Sequence, residues 1–236
     1  SSKWFKKSFT KGYANEAYIV IDGNISNYPF YDNSMGLSYA EFPISKLNVD
    51  YKKGWLPFED ISGVAYFDKR SVYFKANEFS VLDTSAINTS LEILDVKDIE
   101  LIIKGKLIGP FNDLLKYSNT ASLTEVKNSK IIKIKGNSET DLKIKIAFNG
   151  SENDYQSTIR LDNINYIMDG KNKFTNVSGK ILYKNNIFYT DKNEFINANY
   201  NNKNVSFSLA TDNDKNFVVS GSKKIDVSSY IENISY

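Results

Sequence analysis

Residues 58–79 read FEDISGVAYFDKRSVYFKANEF, and residues 174–195 read FTNVSGKILYKNNIFYTDKNEF. The two stretches align without a gap. Phe58 matches Phe174, 116 positions on; Ser62-Gly63 matches Ser178-Gly179; Tyr73 matches Tyr189; and Asn77-Glu78-Phe79 matches Asn193-Glu194-Phe195. Conservative pairs lie between them, such as Asp60 with Asn176 and Phe67 with Tyr183. The same offset pairs Asn88 with Asn204, Ser90 with Ser206, Ile103 with Val219 and Gly105 with Gly221. A fixed internal period sets architecture before any single element does. It divides the chain into a first repeat over 1–118 and a second over 119–236, each ending in a short helix.

Outward from this stretch the chain reads as strands. Leu47, Val49 and Tyr51 alternate with Lys46, Asn48, Asp50 and Lys52, and Leu142, Ile144 and Ile146 alternate with Lys143, Lys145 and Ala147. A period of two is the signature of a half-buried strand. Strands are expected at 36–45, 46–52, 60–68, 71–79, 84–94, 98–108, 130–135, 155–167, 174–183, 187–196, 203–211 and 214–223. Tight Asn/Asp/Gly/Lys turns between them favour an antiparallel meander. Gly109-Pro110 opens a helix at about 110–118, since proline suits a helix start. The repeat register puts its counterpart at 227–234. Residues 2–10 read as the tail of an amphipathic helix that Gly12 ends. The expected fold is all-β with minor α. It is an extended, strongly curved, mostly antiparallel sheet of two repeats with an open apolar groove.

The composition excludes more than it selects. Thirty Lys and Arg against 28 Asp and Glu leave a net charge of +2, which gives no mandate for nucleic acid or another strongly charged partner. Hydrophobic residues at 41% and aromatics at 14% favour a folded chain over a disordered one. Cysteine is absent, so there is no disulfide framework and no thiolate metal site. Histidine is absent too, which removes the usual general base and the commonest metal ligand. No apolar run approaches the roughly 20 residues of a spanning helix. The chain has no initiator Met and reads as a piece of a longer protein.

No catalytic constellation survives this inventory, and neither an enzyme nor a cofactor is expected. Asp212-Asn213-Asp214 resembles the start of a calcium loop but lacks the glycine and the closing glutamate, so a solvated turn is the better reading. Gly105 to Gly109 lacks the Lys-Ser/Thr ending of a phosphate loop. The lysines at 130–145 fall on one face of a strand, where they oppose edge aggregation.

What remains is an apolar face. Period-two spacing puts Leu47, Val49, Tyr51, Leu101, Ile103, Leu142, Ile144, Ile146, Ile159, Leu161, Phe207 and Leu209 on the concave side of the sheet. Two geometries would bury them. In a sandwich they are plain core. In an open sheet they line a groove that holds something apolar, and two short helices are too small to cover it.

The chain also resembles a known family. The matching elements run in order: Trp4 then Gly12; Gly23 and Tyr28-Pro29-Phe30; Asp50-Tyr51; Gly54-Trp55-Leu56-Pro57; Ile61-Ser62-Gly63 leading to Phe67; and Gly109-Pro110-Phe111 before Asp113-Leu114-Leu115. Together they resemble the AsmA-like family of Gram-negative bacteria, in the C-terminal region of its YhdP-type members. Leu56 is inserted where that family more often has Trp-Pro directly. The resemblance covers most of residues 1–211. It implies a repeating β-groove, a bridge-like lipid-transfer protein anchored in the inner membrane by a helix upstream of this chain. Such a protein crosses the periplasm and carries phospholipid acyl chains between inner and outer membrane. It involves no nucleic acid, cofactor or metal. On this implication the twelve positions above line the lipid-binding groove. The alternative is a non-enzymatic periplasmic scaffold or outer-membrane assembly factor with a closed β-sandwich core.

Overall fold

The structure is a computed structural model that describes residues 9–14, 16–32, 34–50, 56–95, 97–98, 100–120, 131–147, 151–168, 172–185, 187–212 and 217–221. The strands are β1 (Phe9–Ala14), β2 (Tyr18–Gly23), β3 (Gly36–Val49), β4 (Phe58–Asp68), β5 (Ser71–Val81), β6 (Thr84–Ile93) and β7 (Glu100–Pro110). Helix α1 (Phe111–Thr120) follows, then β8 (Ile131–Ala147), β9 (Asp154–Met168), β10 (Asn172–Lys184), β11 (Ile187–Tyr189), β12 (Ile196–Tyr200), β13 (Lys203–Thr211) and β14 (Phe217–Gly221). A 3-10 turn occupies Ile25–Asn27. The hydrogen-bonded order runs β1-β3-β4-β5-β6-β7-β8-β9-β10-β12-β13-β14, with β2 also on β3 and β11 also on β10. This is the all-β, antiparallel, open sheet that the alternation predicts: the strand order has two ends and does not return on itself.

Two compact units interleave along the chain. The first holds residues 1–81, 85–106 and 142–154; the second holds 82–84, 107–141 and 155–236. In the first unit β3 is the long strand. Its N-terminal half pairs with β2 (Ile19↔Ala40, Gly23↔Gly36) and its C-terminal half with β1 (Tyr13↔Ser45, Ala14↔Ile44). Beyond it β4 and β5 form a hairpin turned at Lys69, whose φ is 52°. In the second unit β9, β10, β12, β13 and β14 form an antiparallel meander.

Several local readings change. Phe9–Ala14 is a strand, not a helix tail, and Gly12 sits inside it with φ 149°, where a Cβ would strike Leu47. The two strands expected at 36–45 and 46–52 are one strand, β3, bulged at Lys46 with φ 50°. A left-handed residue re-aims the side chains around it without ending the pairing. The strand expected at 187–196 is broken: β11 stops at Tyr189, and β12 starts at Ile196. The helix expected at 227–234 lies outside the described residues, as do Trp4, Tyr51 and Trp55.

Candidate functional site

In the first unit the ladders join one apolar face. Leu47 pairs with Ile61, Ile44 with Gly63, Phe42 with Ala65 and Val49 with Phe58. On the other side of β4, Gly63 pairs with Ala76 and Ala65 with Phe74. Directly paired residues point the same way from an antiparallel sheet. The bulges at Lys46 and Asp60 each carry one extra residue, so Leu47, Ile61 and Phe58 stay in phase with Ile44, Gly63 and Val49 across them. The centre of this face is low. Gly63, Ala65 and Ala76 are small and buried, whereas Phe42, Leu47, Val49, Phe58 and Phe74 around them are only half-buried. The Phe58 and Phe79 rings meet edge to face at 5.3 Å. Among the described residues no α-helix belongs to this unit.

Further along the unit, charge pairs identify the opposite face. Lys104 of β7 reaches Glu92 of β6 at 3.3 Å, and Lys145 of β8 reaches Glu100 of β7 at 3.1 Å. Alternation therefore turns Leu101 and Ile103 away from Glu100 and Lys104, and turns Leu142, Ile144 and Ile146 away from Lys143 and Lys145. Gly105 shares the Leu101–Ile103 face. A Cβ there would meet the Thr89 side chain, so β6 and β7 approach closely. Leu101, Ile103, Leu142, Ile144 and Ile146 are all half-buried.

The second unit repeats the arrangement but covers it. Ile159 pairs with Ile181, Leu161 with Gly179 and Ile164 with Val177. Phe174 pairs with Tyr200, which places Ala198 and Ile196 on the same face, and Ile196 pairs with Phe207. Leu209, two residues on, faces Val219. Phe207 and Leu209 are half-buried, while Ile159 (8% exposed), Leu161 (9%) and Ile164 (4%) are closed off. Phe111 and Leu114 of α1 pack on that cluster together with Ile134, Val177, Ile181 and Phe188. Asp113 fastens α1. Its carboxylate is buried, accepts the Asp83 backbone N–H at 3.0 Å and pairs with Lys116 at 3.3 Å. On the opposite face Arg160 lies between Glu139 (3.2 Å) and Asp141 (2.5 Å), and that bond to Asp141 raises the guanidinium pKa further.

One end of the first unit is closed by a loop. Phe30 is wholly buried, with its ring against the α-carbons of Gly23 and Gly36. Ser38 Oγ donates to the Pro29 carbonyl at 2.9 Å, and the Asn24 side chain accepts the Ser26 N–H at 3.1 Å. The Gly23 and Tyr28-Pro29-Phe30 elements are thus one packing unit: any side chain at either glycine would meet the ring.

Of the expected lining, Tyr51 lies outside the described residues. The ladders bring Leu47 and Val49 together in the first unit and Ile159, Leu161, Phe207 and Leu209 together in the second. Leu101, Ile103, Leu142, Ile144 and Ile146 share a face by alternation. The expected lining omits the centre of the face, Ile61, Gly63 and Ala65, because Val64 and Tyr66 in the opposite phase blur the alternation in the sequence. It also omits Ile164 and Val177, which the positive-φ residues Asn163 and Asn176 shift out of simple phase. Among the described residues no acidic cluster could hold a metal ion, and no helix is long and apolar enough to cross a membrane.

No curated protein and no solved structure matches the chain. The family model described as YhdP protein matches residues 1–234, nearly the whole length. A match over that length places the chain in the family: it belongs to the YhdP family.

Proposed function

We propose that this chain is a segment of a bridge-like lipid-transfer protein, in which phospholipid acyl chains move along the apolar face. The observation that carries this reading is the first unit's face. Its large side chains, Phe42, Leu47, Val49, Phe58 and Phe74, stay half-exposed around a floor of Gly63, Ala65 and Ala76. An apolar strip left open to this extent usually marks a binding surface. A bare acyl chain in water costs about 0.8 kcal/mol per methylene, and a continuous trough removes that cost along its path. Head groups would stay in water at the open side. No catalytic step belongs to this reading. Placement in the periplasm, with an inner-membrane anchor elsewhere in the protein, is part of the same proposal and is supported by the family.

A dry scaffold is the second reading, and the cluster closed beneath α1 is what favours it. The two separate in one experiment. A photoreactive residue is placed at Ile103, on the apolar face, or at the neighbouring exposed Lys104, and the purified chain is also examined by native mass spectrometry with lipid extraction. Co-purified phospholipid, crosslinked from Ile103 but not from Lys104, supports transfer. A lipid-free protein with no crosslink from either position overturns it.

A further inference from the structure

In the first unit the face opposite the apolar one carries a row of tyrosines. Tyr18 of β2 pairs with Glu41 of β3, Glu41 with Tyr66 of β4, and Tyr66 with Tyr73 of β5, so a single row crosses four strands. In the next row Val20 pairs with Tyr39, and Tyr39 with Asp68. Direct pairing and alternation turn all of them away from Phe42, Ala65 and Phe74. The Tyr39 and Tyr66 rings lie 6.4 Å apart, and the Tyr39 hydroxyl donates to Glu41 at 2.9 Å. Tyr18 is 62% exposed and Tyr73 36%, while Tyr39, Glu41 and Tyr66 are half-buried.

The negative charge in these rows is unanswered. Elsewhere in the unit Glu92 is paired by Lys104 and Glu100 by Lys145. Among the described residues neither Glu41 nor Asp68 forms an ion pair, and Lys75, one row on and opposite Val64, reaches neither. A half-buried carboxylate among rings attracts a cation more strongly than a fully solvated one, because less water screens it. Tyrosine faces attract cations as well, and the chain already uses that contact: Arg70 lies 5.0 Å and Lys97 4.8 Å from the centre of the Tyr31 ring. Glu41 and Asp68 are diagonal neighbours on adjacent strands, a spacing of roughly 7–8 Å. Alternate residues of an extended segment are about 6.6 Å apart, so two of its side chains reach both carboxylates. We propose that Tyr18, Tyr66 and Tyr73, with Glu41 and Asp68, form a docking surface for an extended segment of a protein partner that carries arginine at alternate positions. A guanidinium stacks on a tyrosine ring and pairs with a carboxylate through two N–H groups, which an ammonium cannot do. This surface is separate from the apolar face and does not depend on the lipid-transfer reading.

The probe is a fluorescent peptide of alternating arginine and threonine, beside its lysine and glutamine counterparts. Binding to the purified chain is read by fluorescence anisotropy at physiological ionic strength. The chain's net charge is +2, so a cationic peptide has no general attraction to it. The arginine peptide should bind, the lysine peptide more weakly, and the glutamine peptide not at all. An exposed charge contact is worth up to about fivefold, so Glu41→Gln with Asp68→Asn should weaken binding roughly tenfold. Tyr73→Ser, at an exposed position, should weaken it severalfold by removing a stacking face, and it keeps the test open should the carboxylate variant fail to fold. Glu92→Gln with Glu100→Gln removes the same charge elsewhere in the unit and should leave binding unchanged. Failure of the unmodified chain to bind the arginine peptide, equal loss in the two charge variants, or full binding by Tyr73→Ser overturns the surface. Binding of a neutral chitin oligosaccharide in place of the peptide would give the tyrosine row to a sugar and overturn the arginine reading as well.

Discussion

The backbone N–H of Asn163 donates to the Ser178 hydroxyl at 3.2 Å, and the backbone N–H of Lys46 donates to the Ser62 hydroxyl at 3.5 Å. Both donors have φ near 50° and bulge the strand that precedes the repeated stretch. Two further bonds recur. Asp60 N–H donates to Asn48 Oδ1 at 3.0 Å, as Asn176 N–H does to Asn165 Oδ1 at 3.4 Å. Lys69 N–H donates to the Ser38 carbonyl at 3.3 Å, as Asn185 N–H does to the Tyr155 carbonyl at 3.0 Å. The repeat is therefore a repeat of backbone events, with β3 and β4 matched by β9 and β10.

The second repeat places asparagine at its left-handed positions 163, 176 and 185, where the first has Lys46, Asp60 and Lys69. Asparagine tolerates that conformation better than lysine. Lys46→Asn and Lys69→Asn should each stabilise the chain by up to about 1 kcal/mol, and Asn163→Lys should destabilise it similarly. Urea unfolding of the single variants checks this; equal midpoints for all of them would contradict it.

Gly63 gives a steeper test. A Cβ there would overlap the Lys75 carbonyl oxygen and come within 2.8 Å of the Ala76 α-carbon, both backbone atoms of the adjacent strand. At Gly105 the obstacle is the Thr89 side chain, Oγ1 at 2.6 Å, which can turn aside. Gly63→Ala should cost about 1–3 kcal/mol, and Gly105→Ala clearly less. The same urea series ranks them, and the reverse order would show that β4 and β5 separate easily.

These pairs also show where the sequence could be read and where it could not. Strand type was legible because Leu47 and Val49 alternate with Lys46, Asn48 and Asp50, and Leu142, Ile144 and Ile146 with Lys143 and Lys145. The repeat was legible downstream of Phe58 and invisible upstream for a definite reason. Asp60 follows Asn48 by twelve residues but Asn176 follows Asn165 by eleven, so β3 matches β9 at an offset of 117, not 116. An ungapped comparison loses the register there. Bulges hid Ile164 and Val177 from the expected lining, since alternation counts two where the chain spends three. The cover that α1 gives the second unit was not legible either. Helix existence follows from Gly109-Pro110, but where Phe111 and Leu114 land depends on the β8–β9–β10 face they meet.

Tyr39 offers a pH-dependent check on the opposite face. Half-burial, then its hydrogen bond to Glu41 at 2.9 Å, raises the phenol from 10.0 to about 12. The folded chain thus favours the neutral phenol. That contribution to stability is whole below pH 10 and is lost as the pH rises through about 12. Ultraviolet titration should show a late-ionising tyrosine that Tyr39→Phe removes and Glu41→Gln shifts back toward 10. An unchanged titration curve in Tyr39→Phe would assign that phenol elsewhere.

Aspartate scanning separates the open part of the apolar face from the covered part. Ile103 is half-buried in the first unit, which has no α-helix among the described residues, whereas Ile159 is 8% exposed beneath Phe111 and Leu114. An aspartate at position 103 keeps access to water, so its carboxylate stays solvated and the fold survives. It also puts a charge where acyl chains would pass. Ile103→Asp should therefore lose most lipid crosslinking, on the order of tenfold, with a melting temperature near that of the unmodified chain. Ile144→Asp should behave alike. At position 159 the same change buries an unpaired carboxylate among Leu161, Ile164 and Val177, a loss of several kcal/mol that should unfold the second unit. Circular dichroism melts beside crosslinking yields read both outcomes. Collapse of Ile103→Asp would mean that this face is a dry core and would favour the scaffold. Undiminished crosslinking in a folded Ile103→Asp would mean that lipid does not travel along this face.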